Sequence, residues 1–92
     1  MNVGMNQLFL LEIAKKKGWI TVGDVCHVYG FATSFRSVQK AEVIISKLEF
    51  KGLIQKTEGT AILRITPVTK YILTKGGEEA LDSYHNRGET NE

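Results

Sequence analysis

The sequence predicts an α+β fold in which three helices precede a β-hairpin and a fourth helix closes the domain. Two junctions support this prediction. In residues 47–54 a helical pattern stops at Gly52 and leads directly into a β-prone run. In residues 72–81 a β-prone run ends at Thr74, a residue type that favours helix N-caps. The residues between the junctions are numerous enough for a hairpin, so residues 1–86 are predicted as one domain and residues 87–92 as a disordered acidic tail.

The charge of the chain is unevenly distributed. The 92 residues carry a formal net charge of only +2, yet residues 13–75 hold eleven Lys and Arg against four acids, a local balance of 11 − 4 = +7. Five of the other six acids follow residue 77. A basic middle segment suits a surface that meets phosphates, although scattered lysines that only keep a surface soluble are an alternative.

Several functional classes lack support in the sequence. The single cysteine, Cys26, cannot form an internal disulfide or a zinc cluster. We expect it to be buried, with a reactive or intersubunit thiol as the alternative. The apolar run at residues 8–11 is too short to span a membrane, and its lysines follow it, so we expect an intracellular, cytoplasmic protein with no membrane partner. His27 and His85 are far apart, and no catalytic set or glycine-rich phosphate loop accompanies them. We expect no enzyme, cofactor or metal site, and no small-molecule effector is indicated.

The first helix is predicted over residues 6–17, with Gly18 as its C-cap after three lysines. A core-facing set is expected at Phe9, Leu10, Ile13 and Ala14, which leaves Leu8 and Leu11 as surplus apolar surface. That surplus is equally well explained by a second copy of the chain or by cover from the C-terminal helix. The homodimer hypothesis places Leu8, Leu11, Leu81 and Tyr84 at the interface.

The second and third helices are predicted from capping and periodicity. Trp19 and Ile20 indicate a short strand or extended link, and Thr21 with Asp24 forms a capping-box variant before a helix over residues 22–29 that stops at Gly30. A third helix ends near Phe50. Its inward face is expected at Ala41, Ile44, Ile45 and Leu48.

The outward face of the third helix carries the candidate DNA contacts. Glutamine can pair with adenine, arginine or lysine can reach guanine, and serine can hold a phosphate. Any solvated helix face has a similar mixture, so the position of this helix between a short helix and a hairpin is what favours DNA contact. The candidates are Ser34, Arg36, Ser37, Gln39, Lys40, Val43 and Lys47.

The hairpin prediction leaves its tip open. Residues 53–57 and 61–66 flank Glu58-Gly59-Thr60, and residues 70–73 form a further β-prone run. Either Gly59 closes a tight hairpin or the whole interval 58–69 is a long wing, with Pro67 at an edge or in a turn. Lys56, Arg64 and Lys70 are candidate contacts to the DNA backbone or minor groove, although exposed lysines also protect sheet edges.

The last helix is expected to begin at Thr74 and to end near Asn86. Its apolar stripe comprises Gly77, Ala80, Leu81 and Tyr84.

Three groups of residues form a family-like pattern. They are Leu48-Glu49 with Lys51-Gly52-Leu53-Ile54, Leu73-Thr74-Lys75 with Gly77 and Ala80-Leu81, and Ile20-Thr21 with Asp24-Val25 before Gly30. These motifs resemble those of small winged helix-turn-helix transcriptional regulators, of the MarR-type and PadR-type class and the stand-alone winged-helix proteins of archaea and their viruses. The resemblance covers about residues 6–85. It implies a three-helix core with a β-hairpin wing and a C-terminal helix, and a homodimer that binds double-stranded DNA with its third helix in the major groove. A protein-interaction module within a larger complex is the alternative.

The chain departs from the common pattern in one respect. The interval from Gly30 to Gly52 is longer than usual, which implies either a longer turn between the second and third helices or an extra turn at the start of the third.

Overall fold

The computed structural model describes residues 4–32, 34–63 and 65–90, without the side chains of residues 35 and 86–90. Within these ranges the chain is α+β, with four helices and one antiparallel hairpin, a layout compatible with a winged helix. The elements in chain order are α1 (Met5–Lys17), α2 (Val22–Tyr29), α3 (Phe35–Phe50), β1 (Ile54–Leu63), β2 (Thr66–Leu73) and α4 (Lys75–Thr90).

Helix α1 ends as predicted, because Gly18 adopts a φ of 97° and donates its N–H to the carbonyl of Ala14. Its buried face differs from the prediction. Leu8 and Leu11 are buried, whereas Phe9 is 52% exposed. The helix contacts α2, α4 and β2, so its inward face is set by three neighbours that periodicity alone does not locate.

Three of the four residues predicted at the dimer interface are buried within the single chain. Leu8, Leu11 and Leu81 have exposed fractions of 7%, 0% and 0% within a single chain. The C-terminal helix and the core already cover these side chains, so they offer no surface to a second subunit. Tyr84 is 42% exposed and remains available.

Helix α2 confirms the capping prediction. The Asp24 carboxylate accepts from the Thr21 N–H at 2.9 Å, and the Thr21 hydroxyl oxygen accepts from the Gly23 N–H at 3.1 Å. Before the helix, Ile20 forms an isolated antiparallel bridge with Tyr71 of β2 through two hydrogen bonds of 2.8 Å. The extended link thus lies beside the strand β2. Cys26 is buried, as expected.

Helix α3 accounts for most of the long interval before Gly52. Helix α2 ends at Tyr29, and α3 has 16 residues, beginning after the N-cap Ser34. Its predicted inward face is confirmed at Ala41, Ile45 and Leu48, which are at most 1% exposed, while Ile44 is partly buried.

Of the two hairpins that the sequence allowed, the structure has the long wing and not the tight hairpin closed at Gly59. Its strands pair as far as Leu63 and Thr66, so the tip lies beyond this pair and the tight turn at Gly59 is wrong. Gly59 lies instead inside β1, where residues 57–59 stand opposite Lys70 alone. The Thr57 hydroxyl donates to the Lys70 carbonyl at 2.8 Å and accepts from the Gly59 N–H at 3.0 Å, which holds this bulge.

The two junctions that predicted the fold are in direct contact. The Thr74 hydroxyl caps α4 by accepting from the Gly77 N–H at 3.1 Å, and it donates to the Gly52 carbonyl at 2.5 Å. The Thr74 N–H donates to the Leu53 carbonyl at 3.1 Å. Helix α4 continues to Thr90, beyond the predicted end near residue 86, and residues 91 and 92 of the predicted tail lie outside the described residues.

Candidate nucleic-acid interface

One edge of α3 carries a row of cations. Arg36, Lys40 and Lys47 are exposed and follow one another at i, i+4 and i+11, a spacing that keeps them on one side of a helix. The Lys40 amine also lies 5.9 Å from the centre of the Phe31 ring. The row spans most of the length of the helix and offers positive charge along a single line.

The opposite edge of α3 is acidic and lies toward the hairpin. Glu42 and Glu49 are exposed, one heptad apart, and neither makes an ion pair within the described part of the chain. Burial raises the pKa of the Tyr71 phenol on β2, and the negative charges of Glu49 and Glu42 raise it further. The two carboxylates therefore set a negative potential on the hairpin side of the helix.

Between the two edges runs a stripe with little charge. It holds Gln39, Val43, Ser46 and Phe50, all exposed, at helical spacing. Val43 is 55% exposed and Phe50 is 93% exposed. A shallow groove of about 580 Å³ runs along this part of α3 between Glu42 and Lys51. The face thus combines one amide, one hydroxyl and two apolar side chains.

The two serines at the start of α3 bond to each other. The Ser34 hydroxyl accepts from the Ser37 N–H at 3.4 Å and donates to the Ser37 hydroxyl at 3.1 Å. This pair caps the helix, which sequence reasoning expected only in general terms. A role for either serine in holding phosphate stays a prediction.

The described hairpin lysines occupy different surroundings. Lys56 is exposed on β1. The Lys70 amine lies 4.4 Å from the centre of the Trp19 ring, and the Lys17 amine lies 4.0 Å from the same ring. Lys17 is also bound to Asp24 at 2.9 Å. The third predicted hairpin contact, Arg64, lies outside the described residues.

The Trp19 site was missed by sequence reasoning, because no pattern near residue 19 signals a lysine from β2. The Ile20–Tyr71 bridge is what brings the two segments together.

A cleft separates α3 from the hairpin. Its volume is about 800 Å³, and it is lined by Val38, Glu42 and Ser46 of α3 and by Leu63, Val68 and Tyr71 of the hairpin, among others. The hairpin leans onto α2 at one end of this cleft, since a Cβ on Gly23 would lie 3.1 Å from the Leu63 Cδ1. We call this space the α3–hairpin cleft. The sequence does not predict it, because it depends on the angle between two elements.

Two further classes of feature are missing from the described ranges. They contain no group of three or more His, Cys, Asp or Glu side chains placed to hold a metal ion. None of the helices described has both the length and the apolar character that crossing a membrane requires. In comparisons with known proteins, no family model and no curated protein matches the chain.

Proposed function

We propose that the chain is a winged helix-turn-helix regulator that binds double-stranded DNA as a homodimer and controls transcription by occupying a promoter. The observation that carries the proposal is the row of Arg36, Lys40 and Lys47 on an exposed edge of α3, the helix that precedes a long hairpin. In such an arrangement the helix enters the major groove and the hairpin rests on the neighbouring backbone. A role on DNA implies an intracellular location.

The proposal gives the side chains of α3 separate roles. Gln39, on the exposed stripe, suits bidentate pairing with adenine, and Arg36 near the N-terminal end suits guanine. Lys40 and Lys47 supply charge for phosphates, and Val43 supplies apolar contact with a thymine methyl group. Phosphate contacts of this kind release counterions, so affinity should fall steeply as salt rises.

The acidic edge limits how the DNA can approach. Glu42 and Glu49 have no cationic partner among the described residues and would repel a phosphate backbone on the hairpin side of α3. Phosphates that touch α3 are therefore expected along the row of Arg36, Lys40 and Lys47. Glu42 is expected to meet a base edge instead, where it can accept from a cytosine amino group.

The homodimer is proposed through a different surface from the one that the sequence predicted. Met5, Phe9 and Tyr84 are exposed by 52%, 52% and 42%. Met5 and Phe9 are neighbours on α1, and the Tyr84 hydroxyl lies 4.0 Å from the Met5 sulfur. This patch on α1 and α4 is apolar and accessible, as a subunit contact requires.

A selection of bound duplexes from a random pool, at a low and a physiological salt concentration, tests the proposal. We expect an enriched palindrome, because two-fold protein symmetry is mirrored in the half-sites. Removing two phosphate contacts with Lys40→Ala and Lys47→Ala should reduce the slope of log affinity against log salt by about 2. The matched control, Lys15→Ala with Lys75→Ala, removes the same charge from α1 and α4. Duplex affinity that stays flat between the two salt concentrations would refute DNA binding.

A second candidate is a protein-docking module, and the exposure of Phe50 and Val43 on the central stripe of α3 favours it. Apolar side chains on an accessible helix face commonly mark protein contacts. This candidate predicts that the Lys40→Ala, Lys47→Ala variant and its Lys15, Lys75 control bind duplexes equally weakly. The same titration therefore separates the two functions.

A further inference from the structure

The α3–hairpin cleft has the size and walls of a small-molecule site. Its volume of about 800 Å³ falls within the usual range for ligand pockets, roughly 300–1,000 Å³. Apolar surface comes from Val38 on α3 and from Leu63, Ile65 and Val68 on the hairpin. Ile65 is 94% exposed, so a large apolar side chain stands at the rim without cover from the chain itself.

Among the described residues that line the cleft, the charged groups are of one sign, negative. Glu42 contributes a carboxylate, and Ser46, Thr66, Thr69 and Tyr71 contribute neutral hydroxyls. Among the described lining residues there is no lysine or arginine. The Glu42 carboxylate has no ion-pair partner in the described ranges. A ligand that matches these walls carries a positive charge.

We propose that the α3–hairpin cleft binds an amphiphilic organic cation, with an aromatic or branched apolar body against Val38, Leu63 and Val68 and an ammonium group at the Glu42 carboxylate. An ammonium donates charge-assisted hydrogen bonds to that carboxylate, and the neighbouring hydroxyls accept its remaining N–H groups. An anion of the same shape is repelled by the negative potential of Glu42 and Glu49 and should bind more weakly. The inference stands on the cleft alone and does not require that the chain bind DNA.

The test uses two probes of matched shape and opposite charge, biphenyl-4-methylammonium and biphenyl-4-carboxylate, added to the full chain at neutral pH. Binding is followed by calorimetry and by amide chemical-shift changes in a two-dimensional NMR spectrum. We expect the ammonium probe to bind, with the largest shifts at residues that line the cleft, and the carboxylate probe to bind at least about tenfold more weakly.

Two variants with matched controls locate the site. Glu42→Gln removes the charge at nearly constant shape and should weaken the ammonium probe by roughly tenfold or more. Glu79→Gln, which makes the same chemical change on an exposed turn of α4, should leave its affinity unchanged. Ile65→Ser should also weaken binding, whereas Ile62→Ser removes a 67% exposed apolar side chain that does not line the cleft and should have no effect.

Three results would overturn the proposal. The first is that the carboxylate probe binds as tightly as the ammonium probe or more tightly. The second is that Glu42→Gln and Glu79→Gln lower the affinity for the ammonium probe equally. The third is that the ammonium probe shows no detectable binding at its solubility limit. The side chains of Glu42, Glu79, Ile62 and Ile65 are all exposed, so the four variants are expected to fold. The NMR spectrum of each variant checks its fold in the same experiment.

Discussion

Replacement of Gly77 by alanine should destabilise the domain strongly, although alanine is the better helix former. A Cβ at residue 77 would lie 2.2 Å from the Leu53 carbonyl oxygen and 2.7 Å from the Leu73 Cδ2. An ordinary contact begins at about 3.4 Å, so α4 or the Gly52–Leu53 backbone must move by 3.4 − 2.2 = 1.2 Å. The obstacle is a backbone oxygen, which cannot rotate out of the way.

The magnitude follows from two opposing terms. Overpacking of this kind costs about 1–3 kcal/mol, and the fixed obstacle places Gly77→Ala at the upper end. The higher helix propensity of alanine offsets this destabilisation by about 1 kcal/mol. The net loss is therefore about 2 kcal/mol in the free energy of unfolding, which lowers the urea midpoint by roughly 1 M.

Urea denaturation followed by circular dichroism measures this loss, and Gly23→Ala is the matched control. A Cβ at residue 23 would lie 3.1 Å from the Leu63 Cδ1 and 3.3 Å from the Thr21 Oγ1, so the largest shift required is 3.4 − 3.1 = 0.3 Å, by a side chain. The Gly23→Ala variant should stay within about 0.5 kcal/mol of the parent in its free energy of unfolding, or exceed it. The reason is that the helix propensity of alanine then outweighs the small steric crowding at residue 23. A Gly77→Ala variant as stable as the parent would show that α4 does not pack onto the Gly52–Leu53 junction.

Three other changes have defined outcomes. Asp24→Ala removes the capping bond to the Thr21 N–H and should cost about 1 kcal/mol in urea denaturation, with no change in the slope of the transition; an unchanged midpoint would contradict the capping role. Burial raises the pKa of the Cys26 thiol, so the thiol should stay protonated and unreactive toward Ellman's reagent at pH 8 until urea unfolds the chain. Rapid labelling of the native protein would show that Cys26 is not buried. Phe9→Ser should convert the proposed dimer to a monomer in sedimentation velocity, because it removes an exposed apolar side chain from the α1–α4 patch. The control Ile62→Ser should leave the dimer intact. A parent protein that sediments as a monomer would reject the proposed interface.

The features that the sequence predicted well are those set by neighbouring residues. Thr21 with Asp24 located the start of α2, and Thr74 located the start of α4, because a cap bonds to backbone groups two or three residues away. The inward face of α3 was also predicted, since a helix with one dominant contact face shows its periodicity clearly.

The features that the sequence could not predict depend on distant partners. The roles of Leu8 and Phe9 were exchanged because α1 packs against α2, α4 and β2 at once. The hairpin tip was ambiguous because a glycine marks a turn and a bulge equally well, and only the strand register separates the two at Gly59. The α3–hairpin cleft had no sequence signal, since its α3 wall and its hairpin wall come from residues at least 63 − 46 = 17 positions apart.

The position of Trp19 gives the protein a built-in optical probe. It is the only tryptophan in the chain, and the Lys17 and Lys70 amines lie 4.0 and 4.4 Å from its ring centre. One of these charges is fixed to the neighbouring helix by Asp24, and the other moves with β2. A shift of the hairpin therefore changes the electric field at the indole while the Lys17 charge stays in place. Intrinsic fluorescence can follow hairpin motion during ligand or duplex titrations without any attached label.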